Sequence, residues 1–457
     1  MSDFSNFLSP GRKGHLVGIG GVSMSSLAEV LKGMGISVTG SDSTESHNVL
    51  QLREKGIQVF LGHRAENLAP DVDFVVRTAA VHDDNPEIEY ARANDIPVFE
   101  RTEAWGAISR DYRNALCISG THGKTTTTSM CTHILMAADR DPTVMIGGTL
   151  PLLNAGHRVG RGDTIVMEAC EYYNSFLSFH PTVAVILNIE ADHLDFFKDL
   201  EDVERSFRAF AERVPADGFL VVNYDDENTV QTLEGLDRKR ITFGLSTAAD
   251  VHARNIRFLG ANTQFDIIYR GRKFTDVTLH VPGIHNVKNA LAATAAAICL
   301  GIRPTAVKYG LAGFNGAGRR FEFKGKFNGA DVYDDYAHHP GELKALLDTV
   351  EKLNYKRTVL VFQPHTYSRT AALFEYFVEQ LKRPDVLLLA EIFAAREQNT
   401  IGISSAALAE RVPNSVFLPS FPELEGALRA LARPGDIILT VGAGDVFKVG
   451  EHLVAVE

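Results

Sequence analysis

The stretch Ile118-Ser119-Gly120-Thr121-His122-Gly123-Lys124-Thr125-Thr126-Thr127 decides how the rest of the chain is read. Residues 115–119 form an apolar run of strand length, and from Thr125 onward Met130, Ile134 and Leu135 recur at helical spacing. A strand, a tight glycine loop and a helix in that order aim backbone N–H groups and a positive helix end at one point, which stabilises bound phosphate. Gly120, Thr121, His122, Gly123, Lys124, Thr125 and Thr126 are therefore candidate phosphate contacts, with Lys124 supplying a charge and Thr125 a hydroxyl for Mg²⁺. Ile118 stands where the usual phosphate loop has its first glycine, so this loop is a shortened variant.

Downstream, residues 164–168 and 183–187 read as buried strands that deliver Glu168 and the run Asn188-Ile189-Glu190-Ala191-Asp192-His193. Ligands of open α/β sheets sit beyond the carboxyl ends of strands, so Glu168 and His193 are expected beside the loop. Thr125, Glu168 and His193 are a donor set for a hard cation on a polyphosphate. A structural ion pair for Glu168 and a packing role for His193 are the bland alternatives. Residues 253–279 alternate in polarity like an antiparallel extension. Pro282-Gly283-Ile284-His285-Asn286-Val287-Lys288-Asn289 then opens an alanine-rich helix, where His285, Asn286 and Asn289 can meet an adenine or simply cap the helix. Gly313-Phe314-Asn315-Gly316-Ala317-Gly318 reads as a hinge or a plain linker, and the following Arg319 or Arg320 suits a transferring phosphoryl group.

The last segment again alternates strand and helix. Asp334-Asp335-Tyr336-Ala337-His338-His339-Pro340 and Gln363-Pro364-His365-Thr366-Tyr367-Ser368-Arg369-Thr370 each follow a buried strand. His338, His365 and Arg369 at such strand ends suit an acidic or zwitterionic ligand. At the other end of the chain, Gly18-Ile19-Gly20-Gly21-Val22-Ser23 lies between a strand and a helix, as in a nucleotide-binding βαβ unit, with Asp42 where an acid meets a ribose. Ser23 replaces the third glycine of that fingerprint, so a tight turn without a ligand is equally open. Gly20, Gly21, Ser23 and Asp42 are the candidate contacts for a nucleotide-bearing substrate.

The totals bound the class. The 457 residues, 45% hydrophobic and 23% charged, suit a soluble protein of roughly three domains. The net charge of −11 (46 − 57) disfavours nucleic acid and anionic membranes as partners. Four scattered cysteines without a CxxC pair fit a reduced cytoplasmic setting, and residues 1–14 lack the apolar core of an export signal. The longest apolar run, residues 290–300, is too short to span a bilayer.

Taken in order, these blocks resemble the Mur ligase family. The matching pieces also include Gly120 to Thr126, Asn188-Ile189-Glu190-Ala191-Asp192-His193-Leu194-Asp195, Gly318-Arg319-Arg320-Phe321 and Gly442-Ala443-Gly444-Asp445. The resemblance implies an α/β protein of three domains. A Rossmann-like UDP-substrate domain would span residues 1–111. A central phosphate-loop ATPase-type parallel-sheet domain with a small antiparallel extension would span 112–318, and a Rossmann-like amino-acid-binding domain 319–457. It implies an ATP-dependent ligase, active in the cytoplasm, that joins L-alanine to the carboxylate of UDP-N-acetylmuramate through an acyl phosphate. Lys124 and the loop amides would hold phosphates, and Thr125, Glu168 and His193 would hold Mg²⁺. His285, Asn286 and Asn289 would contact adenine, and Arg319 with Asp334 and Asp335 would close on the nucleotide. His338, His365 and Arg369 would line the site of the amino acid and the muramoyl carboxylate, with His338 as candidate base. Two departures stand out: Cys170 and Tyr172 break an otherwise acidic stretch and leave Glu171 without a role, and Lys198 is too near His193 to act as a carbamylated ligand. A recycling ligase that adds a peptide and a nicotinamide-dependent oxidoreductase are the competing readings.

Overall fold

The computed structural model describes residues 3–78, 80–194, 196–395 and 397–455. Three sheets follow one another along the chain. The first holds five parallel strands in the order Gln58–Leu61, Ser37–Asp42, Lys13–Val17, Phe74–Arg77 and Val98–Glu100. The third holds six strands in the order Glu322–Phe327, Ala330–Asp335, Asp436–Val441, Arg357–Phe362, Val386–Leu389 and Ser415–Phe417, with only the first pair antiparallel. The inner strands of the third sheet, Arg357–Phe362, Val386–Leu389 and Asp436–Val441, are near-continuous apolar runs, as strands covered on both faces are.

The ten-stranded central sheet carries the loop. Its parallel part places Asn114–Ser119 between Thr164–Glu168 on one side and Val183–Ile186 on the other. Ile118 is in register with Glu168 and Ser119 with Ile186, so all three strands end level. The strand order reverses at this point, which opens a crevice above it. Residues 253–279 lie in the expected antiparallel extension, built from Val251–Leu259, Asn262–Tyr269 and Arg272–Leu279. The alanine-rich helix Ile284–Cys299 packs against the sheet with almost every alanine fully buried, which brings its backbone close.

The first two sheets share one core, while the opposite face of each is filled by a cluster of its own. One buried cluster runs from Phe4 and Trp105 through Cys117 to Phe176, Phe207 and Phe210. Helix Arg101–Arg110 lies so close to residue 178 that a Cβ on Gly106 would come within 2.0 Å of the Ser178 carbonyl oxygen. The third sheet is filled by two clusters of its own, one on each face. Among the described residues no helix is long and apolar enough to cross a membrane. Asp195 lies outside the described residues.

Phe176 stacks on Phe210 with ring centroids 4.6 Å apart and meets Phe207 edge-on at 5.2 Å, all fully buried. Phe176→Ala should therefore destabilise the shared core by about 3–5 kcal/mol, read as a lowered urea midpoint.

Candidate active site

Helix Lys124–Ala137 starts from Gly123, whose φ of 85° is left-handed and which has no side chain to cap the first turn. A Cβ there would lie 2.7 Å from Asn289 Oδ1, so glycine is needed for space as well as conformation. The first-turn amides are left open toward the crevice. Asn188 holds the loop in shape: its Oδ1 accepts from His122 N at 2.7 Å and its Nδ2 donates to His122 O at 3.1 Å. The cradle is thus set by the neighbouring strand end rather than by the loop itself.

The expected cation ligands converge in two groups. Thr125 Oγ1 donates to Glu168 Oε1 at 3.0 Å, and Gly147 N donates to the other carboxylate oxygen at 2.8 Å. His193, in a left-handed backbone conformation, stacks on Tyr172 at 4.3 Å with its Nε2 3.6 Å from Glu171. Burial lowers the His193 pKa despite Asp192 and Glu171, which favours the neutral imidazole that a cation requires. Lys124 Nζ lies 2.9 Å from Glu171 and also donates to the carbonyls of Gly120 and Thr121. Burial acts to lower the Lys124 pKa, but Glu171 wins and raises it, so the ammonium stays charged. Glu171 is therefore the member of this group that the sequence left without a role. The signal was its place three residues after Glu168, obscured by Cys170 and Tyr172.

A cavity of about 250 Å³ adjoins the loop and is walled by the central sheet, the Gly313–Gly318 connector and the third domain. His122, Gly123, Thr126, His285, Asn286 and Asn289 line it as expected. Burial pushes His285 down to about 4, so an uncharged ring faces the space. Asn286 also ties the helix start, donating to Pro282 O at 2.7 Å. The sequence left open which of the two arginines would face the nucleotide, and the resemblance named Arg319. Arg319 does not line the cavity: its Nε donates to Asp334 at 3.0 Å and its other nitrogens donate to Gly442 O and Gly444 O. Its guanidinium also lies over Tyr336 and Phe447, so it staples the connector to the third domain. Asp334 is wholly buried in that staple. Arg320 and Asp335 face the cavity instead, and burial pushes Asp335 up to about 6 against the pull of Arg320.

Charged pairs cross from the central to the third domain. Asp192 receives Arg369 through Nε at 3.1 Å and a terminal nitrogen at 2.9 Å, and Arg369 holds its carboxyl well below the usual range despite burial. His122 lies 3.4 Å from Glu190 and 3.2 Å from Glu342; burial works against its charge, but the two carboxylates lift it to about 10. His338 and His365 meet edge-on at 5.6 Å beside Arg369, so the expected trio does assemble. The geometry tells against His338 as a strong base. Its Nδ1 donates to Tyr336 O at 2.9 Å, leaving Nε2 as acceptor, but burial pushes it down to about 4. Such a ring orients an amine better than it keeps the amine's proton.

In the first domain Gly21 begins helix Val22–Gly33 without a side-chain cap. Asp42 reaches the turn, but its oxygens accept from Gly20 N at 2.8 Å and Thr44 N at 3.1 Å, so it shapes the loop rather than standing free for a ribose. Ser23 turns toward Met145 of the central domain, its Oγ 3.8 Å from the sulfur.

An open phosphate loop at the point where strand order reverses belongs to the nucleotide-using α/β enzymes. Within that class the chain belongs to the Mur ligase family. Residues 13–113 match its catalytic domain, 118–297 its middle domain and 319–444 its glutamate ligase domain. A UDP-N-acetylmuramate–L-alanine ligase of Clostridium novyi is 46% identical over 451 residues, 98% of each chain. The crystal structure of a UDP-N-acetylmuramate–alanine ligase from Thermotoga maritima matches with a TM-score of 0.81 at 30% identity, covering 97% of this chain and 98% of that one. A murein peptide ligase from Psychrobacter arcticus shares the fold, with a TM-score of 0.70 at 24% identity over 97% and 98% of the two chains.

The difference between the arginines is testable. Arg320→Ala should weaken nucleotide binding about tenfold with little change in unfolding temperature, through loss of a charge-assisted contact. Arg319→Ala should instead cost about 3 kcal/mol of stability, because it leaves Asp334 buried and unpaired; calorimetry separates the two.

Proposed function

We propose that the protein couples cleavage of ATP to joining L-alanine to the carboxylate of UDP-N-acetylmuramate, a step of peptidoglycan precursor synthesis. The observation that carries this is the meeting of two constellations on one edge. The phosphate loop with Lys124 comes from the central domain, and the His338–His365–Arg369 cluster comes from the third, joined through Asp192. Full-length identity of 46% to a ligase of that name supports the choice of substrates, whereas the peptide-adding relative lies at 24%.

A carboxylate is a poor acyl donor because it would have to expel oxide. Transfer of the γ-phosphoryl group makes an acyl phosphate; the alanine amine, its ammonium proton lost to solvent, attacks the carbonyl carbon, and the tetrahedral intermediate expels phosphate, which carries off the second proton from nitrogen. The first step needs alignment and charge neutralisation more than covalent help. Lys124 and the open amides suit the phosphates, with Arg320 at the cavity wall. His285 and Asn289 suit the base, since both line the cavity and His285 is uncharged. Arg369 suits a substrate carboxylate, which would replace Asp192 as its partner. The neutral His338 would accept a hydrogen bond from the amine at Nε2 and hold it toward the acyl phosphate. Thr125 and Glu168 fit Mg²⁺, because the hydroxyl and carboxylate are hard oxygen donors 3.0 Å apart, and the neutral His193, beside Glu171, would be a third donor. Mg²⁺ would neutralise charge on the phosphates. On this reading the enzyme works in the cytoplasm, where ATP is available, and four unpaired thiols suit that setting.

The uncompensated oxidoreductase alternative has no use for Lys124 at the loop. Lys124→Ala should abolish phosphate release in the presence of both co-substrates; retention of most turnover would reject the loop's role. A panel of L-alanine, glycine, L-serine and a tripeptide should show the highest kcat/KM for L-alanine, and a preference for the tripeptide would favour the recycling reading.

A further inference from the structure

Glu171 is 2% exposed, yet its carboxylate faces two groups of the nucleotide site at once. Both its oxygens lie within 3.1 Å of Lys124 Nζ, and Oε1 is 3.6 Å from His193 Nε2. Lys124 is held further by the carbonyls of Gly120 and Thr121, so with Glu171 all its donors are engaged. Incoming phosphates must draw the ammonium away from Glu171. A second carboxylate, Glu168, stands across the loop on Thr125 and Gly147. Cys170, between them in sequence, adds no charge of its own, since burial pushes its thiol up to about 12. Once Lys124 turns to a phosphate, the buried Glu171 carboxylate has no remaining fixed cation beside it among the contacts described. It then repels the phosphates at short range in a medium where repulsion is strong.

We propose that Glu171 makes nucleotide entry conditional on a divalent cation: it is the counterion of Lys124 before binding, and it excludes the metal-free triphosphate. This rests on the nucleotide-binding reading above. It differs from the expected ligand set, because Glu171 acts by charge on Lys124 whether or not it touches the ion. His193 stacks on Tyr172 and lies 3.6 Å from Glu171, so a cation held by His193 would bring positive charge next to that carboxylate.

The test is the affinity of the full-length protein for ATP, by calorimetry, in EDTA and in Mg²⁺, without the other substrates. The wild type should bind ATP far more tightly with Mg²⁺ than without. Glu171→Gln keeps the shape and removes the charge. It should tighten metal-free ATP about tenfold and shrink the gain from Mg²⁺ by a like factor, within the usual range of coupling between ligands. An unchanged gain from Mg²⁺ in a folded Glu171→Gln variant overturns the proposal. Should that variant not fold, Glu171→Asp, which keeps the charge but draws it back from Lys124, should show a smaller gain than wild type, and an equal gain overturns the proposal. A wild-type protein that binds ATP under neither condition would sink the nucleotide reading itself, a result distinct from either of these.

Discussion

Helix Lys124–Ala137 begins at a glycine with nothing to cap it, and much of the molecule is arranged around that open end. Unpaired amides at a helix start carry partial positive charge and need an acceptor. No side chain of the loop supplies one. The strand Val183–Ile186 ends level with the loop and sends Asn188 to brace it, while Thr164–Glu168 ends level on the other side and sends a carboxylate. The reversal of strand order is thus what turns a short glycine run into a defined cradle.

The third domain completes the site by charge rather than by a shared core. Its apolar clusters are its own, whereas the first two sheets share one. What crosses to it is polar: Asp192 with Arg369, and His122 between Glu190 and Glu342. Such contacts exchange one partner for another more readily than a packed apolar interface does, because each partner can be satisfied by a ligand of the same charge. The first domain, by contrast, is joined to the central one through Phe4, Trp105 and Phe176 in one cluster, so the two move less freely.

Much of this was legible in the chain. Alternating buried strands and helices foretold the α/β sheets, and the glycine loop does run from a strand end into the uncapped helix Lys124–Ala137. His285, Asn286 and Asn289 do line the cavity, and His338, His365 and Arg369 do meet. The shorter elements were missed. Helix His47–Glu54 and strand Gln58–Leu61 bury too few residues for a clear period, and helix Arg101–Arg110 is only weakly amphipathic because it packs on both sides. Neighbouring arginines were indistinguishable in sequence: one-residue spacing says nothing about direction until the backbone turns, and Arg319 lies in a left-handed conformation that sends it to Asp334.

What the sequence determined alone is local: which strands are buried on both faces, where the helix opens without a cap, and which side chains of the right chemistry sit at strand ends. The tertiary structure decided the partners. That Lys124 meets Glu171, that Arg369 meets Asp192, and that Arg320 rather than Arg319 faces the cavity all depend on segments far apart in the chain. The physical reason is range: hydrophobic period and capping act over a turn or two of chain. An ion pair depends only on distance in space, which is set once the sheets have packed.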